Sequence, residues 1–281
     1  MTTRERLGRV GIWSPLWTQA AQSGDPERLA AAADAAAELE DLGYGAIWLG
    51  SSPAVAFAGP VLDATRRLAV ATGITSIWQY DAATVAGEWA QLEERHAGRF
   101  LLGLGVSHGE GNPAYARPYA MMQRYLADLP VPASGIVLAA LGPRMLALSR
   151  DRAAGAHPYL VTVEQIAEER EILGPDALLA PELSVVLDAD RDRARAAARG
   201  MLSRYLRMRN YRASFARAGF TEDDFPDGGS DRLVDALFGL GDADAIAARV
   251  RAMHDAGADH VALQAVVASP EDARAVWRRL I

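Results

Sequence analysis

The stretch RFLLGLGVSHGEGN, residues 99–112, decides how this chain is read. It opens as an apolar strand, carries glycines at Gly103 and Gly105, and turns polar with Ser107, His108, Glu110 and Asn112. A glycine inside a strand gives up packing, so it marks close approach of another backbone or of a ligand. A dinucleotide fingerprint would explain paired glycines, but it needs a third glycine at position 108 and a helix directly after. Position 108 is a histidine, and Gly111, Asn112 and Pro113 continue as a loop. The two glycines are therefore read either as tight strand packing or as room for a flat ring at the end of a strand.

Working outward, short apolar runs alternate with helical patterns. The strand candidates are VGIWS (10–14), AIWLGS (46–51), LAVATGITSIW (68–78), the 99–112 stretch, IVLAAL (136–141), AHPYLV (156–161), ELSVVLD (182–188) and HVALQAV (260–266). Runs that stay apolar, without polar alternation, belong to parallel sheets covered on both faces. Helix signals separate them. Asp25 is an N-cap before Pro26, Leu29, Ala32, Ala36 and Leu39 share a face, and Gly43 is the stop. Asp242 caps a later helix carrying Ile246, Val250 and Met253. Residues 190–237 form a long helical region broken at GFTEDDFPDGGSD. Eight strand-then-helix units predict an α/β fold, a (β/α)8 TIM barrel. The expected organisation is a single domain over 1–281, with a helical insertion at about 190–240 after the seventh strand.

Composition excludes several chemistries. The chain has 281 residues, half of them hydrophobic, and a net charge of −7. With no long basic run, nucleic acid and acidic membrane surfaces are not expected partners. The opening MTTRERLGRVGIW lacks the apolar run of a signal peptide. No apolar run approaches the roughly 20 residues of a spanning helix. A cytoplasmic location is expected. The chain holds no cysteine, which rules out disulfides, thiolate nucleophiles and iron–sulfur ligation. It also holds no lysine, since all 29 basic residues are arginine, so Schiff-base and pyridoxal-phosphate chemistry are excluded.

In a barrel of this kind the site forms where the strands end. Those ends carry Ser51, Ser76, Ser107, His108, His157 and Gln264, with Asp188 the lone acid and Trp13, Trp48 and Trp78 nearby. Clustered metal ligands are missing, so no metal is expected. A small, neutral, hydroxyl-bearing mouth has few groups for acid, base or nucleophile work. Such a mouth either only binds, or hosts a cofactor that carries the chemistry.

Taken in order, LAVATGITSIW, WAQLEERHAGRFLLGLGVSHGEGN, VLAALGPRMLALSRDRAAGAHPYLV and GDADAIAARVRAMHDAGADHVALQ resemble the bacterial luciferase-like family. The resemblance is to its branch that uses the deazaflavin coenzyme F420, and it runs essentially the whole chain. It implies a non-proline cis peptide at Ser76–Ile77 that props the ring. It further implies ring and side-chain contacts from Gly105, Val106, Ser107 and Asn112, and backbone contacts from Ala139, Ala140, Leu141 and Gly142. Pro143 and Arg144 open the next helix, whose free N–H groups suit a phosphate. At the second strand several relatives carry an acid and a catalytic histidine, whereas this chain has LGSSP, with Ser51 at the cofactor. His108, and after it His157, is then the candidate proton donor or acceptor. For either, the reading set against this is a hydrogen-bonded strand-end histidine without chemistry, and on the residues alone that reading comes first. Arg204, Arg207, Arg209 and Arg212 could attract an anionic tail or form a solvated helix face.

The resulting expectation is an oxidoreductase that moves a hydride between F420 and a small organic substrate. The alternatives are an FMN-dependent monooxygenase of the same family and a non-catalytic flavin- or deazaflavin-binding protein. The expected partners are a small-molecule substrate and, as a homodimer, a second copy of the chain.

Overall fold

The computed structural model describes residues 2–107 and 116–281. His108 and Asn112, one proton-transfer candidate and one ring-contact candidate, lie outside the described residues. The strands are β1 (Val10–Ser14), β2 (Ala46–Leu49), β3 (Ala69–Thr72), β4 (Thr75–Ser76), β5 (Phe100–Gly105), β6 (Ile136–Leu138), β7 (Gly155–Ala156), β8 (Leu178–Leu179), β9 (Glu182–Leu187), β10 (Gly239–Gly241) and β11 (Val261–Ala265). They form one curled sheet in the order β10-β9-β11-β1-β2-β3-β5-β6-β7-β8, with β4 beside β5. Its registers are parallel, as between β1 and β2 (Gly11 with Ala46) and between β5 and β6 (Gly103 with Val137). Only Ala180 and Pro181 separate β8 from β9, and this run is bonded on both sides. Ala180 N–H donates to Ala156 and Glu182 N–H to Pro158, while Leu179 and Pro181 carbonyls accept from Asp259 and Ala262.

Side chains alternate across the sheet as a pleat requires. Ile47, Leu49, Val70, Leu102 and Leu138 pack outward against helix residues such as Leu39, Leu62, Leu92 and Ile166. Ala46, Trp48, Ala69, Ala71, Leu101 and Val137 form a separate inner cluster. Gly103 and Gly105 follow Leu101 by twos, so they share its inward face. Sequence capping signals are used as written. Asp25 accepts from Glu27 N–H and opens Pro26–Leu42, Gly43 ends it with φ 94°, and Asp242 accepts from Ala245 N–H at the start of Ala243–Asp255.

The architecture departs from eight simple units in three places. The short strands β4, β8 and β10 were not legible as separate runs. The 190–237 region divides into Arg191–Tyr205, Arg209–Arg217 and Asp231–Leu237. It builds its own apolar cluster from Leu202, Phe215, Phe225, Leu233 and Phe238. Arg195 pairs with Asp231 and Asp235 at 2.6 Å each, and Arg199 also pairs with Asp231, tying the first of these helices to the last.

The third departure corrects the sequence reading. The non-proline cis peptide lies at Gly73–Ile74, not at Ser76–Ile77. Pairing of β3 with β5 stops after Ala71–Leu101 and resumes as Thr75–Leu104 and Ser76–Gly105. Ile77 N–H then bonds Gly105 O at 3.1 Å. Ser76 and Ile77 thus sit where the ladder is regular, and the irregular backbone falls in the gap before it. The Thr72 hydroxyl bridges that gap, donating to Gly103 O at 2.8 Å and accepting from Gly103 N–H at 2.9 Å.

Candidate functional site

A cavity of about 530 Å³ opens where the strands end, within the usual size range for small-molecule sites. Its floor is Gly73, Ile74 and His157, and Trp13 from β1 stands beside them. The Trp13 indole N–H donates to Gly73 O at 3.0 Å. The ring fits only because Gly50 and Gly73 lack side chains. A Cβ on either would come within 2.5 Å of the indole.

The two glycines of the opening stretch now separate. A Cβ on Gly103 would lie 1.8 Å from the Thr72 carbonyl oxygen, so this glycine permits two strands to close together. A Cβ on Gly105 would meet Ile74 Cδ1 at 2.5 Å and Ala139 Cβ at 3.2 Å. Gly105 therefore makes room for Ile74, which itself lines the cavity. It does not face the cavity, and neither do the buried Ser76 and Ile77. The other residues expected at the cofactor do line it: Ser51, Val106, Ser107, Ala139, Ala140, Leu141, Gly142, Pro143 and Arg144. Ser51, Ser52 and Ser107 have φ of 65°, 52° and 54°. Each left-handed serine costs about 1–2 kcal/mol, so the surrounding fold holds them there.

His157 is 2% exposed and stacks on Trp48, with ring centroids 4.0 Å apart and an interplanar angle of 11°. Its Nδ1 lies 2.6 Å from Ala180 O, a pure acceptor, so Nδ1 carries the proton. Burial pushes the imidazole down to about 4, opposed by the Ala180 carbonyl and reinforced by His260. The ring is neutral at pH 7, and its Nε2 presents a lone pair with no partner.

The far wall comes from the stretch between β9 and β10 and was missed in the sequence. Tyr205 and Tyr211 line the cavity with Tyr159. Tyr205 OH donates to Tyr159 OH at 3.0 Å, and Tyr159 OH donates to Gln264 Oε1 at 2.8 Å. Burial raises all three phenols, so they remain protonated. The signal was present as Tyr205 and Tyr211 among arginines, but nothing local says that this segment folds back over the mouth.

The only ionised residue types among the described lining are Arg144 and Arg204, in a chain with 36 acidic residues. Arg144 lies over the Tyr119 ring at 4.3 Å, and both edge the cavity. Gly142 precedes the helix Pro143–Arg152 and has no side-chain cap. The helix therefore turns its uncapped N-terminal end toward the mouth, as anion sites do. Arg217 donates to Leu141 O and braces this turn. Of the other arginines considered in the sequence, Arg212 pairs with Glu222 and stacks on Phe225. Asp188, the strand-end acid, pairs with Arg193 at 2.8 Å away from the lining. Among the described residues no group of three or more His, Cys, Asp or Glu could hold a metal ion. None of the described helices is long and apolar enough to cross a membrane.

The family model of luciferase-like monooxygenases matches residues 9–126 and 110–260. The chain belongs to the luciferase-like monooxygenase family. No curated protein sequence matches this luciferase-like chain. Its fold is shared with an F420-dependent secondary alcohol dehydrogenase solved with an F420–acetone adduct, at TM-score 0.72 and 15% identity over 97% of this chain and 98% of that one. The coenzyme F420-dependent tetrahydromethanopterin reductase from Methanopyrus kandleri matches at TM-score 0.72 and 14% identity, over 97% and 98% of the two chains. The oxygenating constituent of 3,6-diketocamphane monooxygenase from Pseudomonas putida, in complex with FMN, matches at TM-score 0.65 and 12% identity, over 96% and 95%. Luciferase-like folds of this kind thus serve enzymes of both cofactors.

Proposed function

We propose that this chain is an oxidoreductase that binds coenzyme F420 in the cavity and moves a hydride between the deazaflavin and a small organic substrate. The observation that carries the reading is the lining, which is aromatic and apolar, flanked by two arginines, and free of carboxylate, lysine and cysteine among the described residues. Such a surface holds no paired acid and base and no strong nucleophile. It suits a flat ring with an anionic tail. The bound deazaflavin supplies hydride transfer at its ring carbon. The chain's residues supply the rest. Arg144 and the uncapped end of the Pro143–Arg152 helix would hold the tail phosphate, and residues 139–142 would line the path of the tail. Trp13, Ile74 and the tyrosines exclude water from the ring, and His157 keeps an unprotonated nitrogen at the floor. His108, the first proton-transfer candidate of the sequence, remains a candidate for that role, and Asn112 a candidate ring contact.

The F420-dependent relatives support this choice at the level of fold. The count of units fits a single barrel. Joining β3 with β4 and β8 with β9, and treating β10 as an addition at the edge, leaves eight strands of one barrel domain, with 190–237 as the insertion. The FMN-dependent monooxygenase is the second reading, favoured by the FMN complex among the structural relatives.

Fluorescence titration with F420 and with FMN tests the choice. F420 is expected to bind at least about tenfold more tightly, which is about 1.4 kcal/mol. Tighter binding of FMN together with oxygen consumption would establish the second reading. Tight binding of either without turnover across a broad substrate panel would establish a binding protein.

A further inference from the structure

We propose that Arg204 holds a carboxylate at the tyrosine wall of the cavity, so that the substrate is a small organic acid with an apolar or aromatic body. The inference rests on the F420 reading only in leaving Arg144 to the cofactor's tail and in treating the acid as the substrate.

Four of the five arginines on the helix Arg191–Tyr205 already have carboxylate partners. Arg191 and Arg195 pair with Asp235, Arg193 pairs with Asp188, and Arg199 pairs with Asp231. The fifth, Arg204, lines the cavity and has no hydrogen bond or ion pair among the described residues. Carboxylates are not scarce, since the chain has 36 acidic residues and a net charge of −7. They meet the other guanidiniums of this helix, and none of them is among the described residues around the cavity. The pairing rule of the helix thus stops where the helix reaches the mouth.

The guanidinium belongs to the tyrosine wall. Arg204 directly precedes Tyr205, and its charge is felt by two of the wall's phenols: burial raises Tyr205 and Tyr211, and Arg204 is among the groups that oppose this. Arg144, by contrast, opens the Pro143–Arg152 helix and lies over Tyr119. A chain of net negative charge repels anions at long range, and an unpaired guanidinium at the mouth reverses that field locally. Its planar fork can take both oxygens of a carboxylate, which a compact point charge cannot match. The body of such an acid would then lie against Tyr205, Tyr211 and Trp13, which are cavity residues. A neutral amide of the same shape keeps the apolar contact and loses the charge, and a cation is repelled. Arg204 is exposed at the rim, so salt screens the attraction.

The test uses matched pairs: butyrate, cyclohexanecarboxylate, benzoate and naphthoate, each beside its primary amide, titrated calorimetrically into the protein with and without F420. At least one acid is expected to bind about tenfold more tightly than its amide, with a preference that shrinks as salt rises. In Arg204→Gln the preference should fall to within about twofold, and in Arg204→Lys, which keeps the charge without the fork, part of it should remain. Acids and amides that bind alike, no binding of any acid up to its solubility, or an unchanged preference in Arg204→Gln would overturn the proposal. F420 and its tail-free deazaflavin separate the two sources of a carboxylate. If Arg204→Gln weakens F420 but not the tail-free ring, the guanidinium serves the cofactor's tail and the proposal falls. F420 affinity within about twofold of the parent supports it. The two readings fail separately. If F420 does not bind while the acid preference still depends on Arg204, the cofactor reading falls and this one stands. If F420 binds and the acids show no preference over their amides, the reverse holds. The acid-to-amide ratio is also read in the unmodified chain, so the proposal stays testable even if a variant does not fold.

Discussion

The two ends of the sheet treat the same residue differently. Where the strands begin, His260 is fully buried, donates from Nδ1 to Gly8 O, and accepts at Nε2 from Trp48. Nearby on the same side of the molecule, Arg99 gives its guanidinium to the carbonyls of Leu62, Thr65 and Leu68. Where the strands end, His157 is as buried, is also pushed by burial to about 4, and also donates from Nδ1 to a carbonyl. Only its second nitrogen differs. Burial and charge state therefore do not distinguish scaffold from site here. Between these two rings the difference is that His157 alone keeps a nitrogen with no partner inside the chain.

The sharpest way to break this comparison is to remove each ring. His260→Ala leaves the Trp48 N–H unpaired in the core along with a cavity, and should cost about 3–5 kcal/mol in urea unfolding. His157→Ala should cost about 1–3 kcal/mol, because only one internal hydrogen bond is lost with the stacking. Equal losses would show that the open nitrogen of His157 is not a weak point of the fold.

The glycines of β5 offer the next contrast. Gly103→Ala forces a Cβ against the Thr72 backbone and should cost about 3 kcal/mol. Gly105→Ala meets the movable end of Ile74, and should cost about 1 kcal/mol while pushing Ile74 into the cavity and weakening ligand binding. Melting curves and a cofactor titration on the same two variants separate these outcomes. A Gly105 variant with full affinity would remove Ile74 from the floor.

A smaller effect sharpens the comparison midway along the Leu178–Leu187 run. Glu182 is buried there, and burial raises it to about 8, against the Ser184 hydroxyl and the Leu160 N–H that it accepts. Its folded pKa lies above the unfolded value, so the folded chain binds the extra proton. Stability from this group is present below about 4.5 and is lost as pH rises through about 8. The histidines have the opposite sign. Their folded values near 4 lie below the unfolded 6.5, so their contribution is lost as pH falls from 6.5. Glu182→Gln should therefore gain on the parent by about 1 kcal/mol per pH unit toward pH 8, read as a widening difference in melting temperature. A difference independent of pH would mean that Glu182 is ionised in the folded chain.

Periodicity and caps were legible because they are local. Asp25, Pro26 and Gly43 bound their helix as their chemistry requires, and each apolar run from VGIWS to HVALQAV contains strand, although AHPYLV, expected as the sixth, contributes only Ala156. The position of the backbone irregularity was not legible. LAVATGITSIW is apolar or hydroxyl-bearing throughout, and the break is set by Thr72 reaching Gly103, 31 residues away. The strand-end histidine at 157 was visible, but which of its nitrogens is left over depends on Ala180, 23 residues on. Tyr205 and Tyr211 were hidden for a similar reason. Their helices read as arginine-rich surface until the chain's return path brings one face over the mouth.

That return path separates two jobs that a protein usually has to reconcile. Tyr205 and Tyr211 belong to a segment with its own apolar cluster around Phe215, Phe225 and Leu233, while the sheet rests on another. One wall of the cavity is thus a removable panel. Swapping residues 190–237 for the equivalent piece of a relative would exchange the tyrosines and leave the floor of Gly73, Ile74 and His157 untouched.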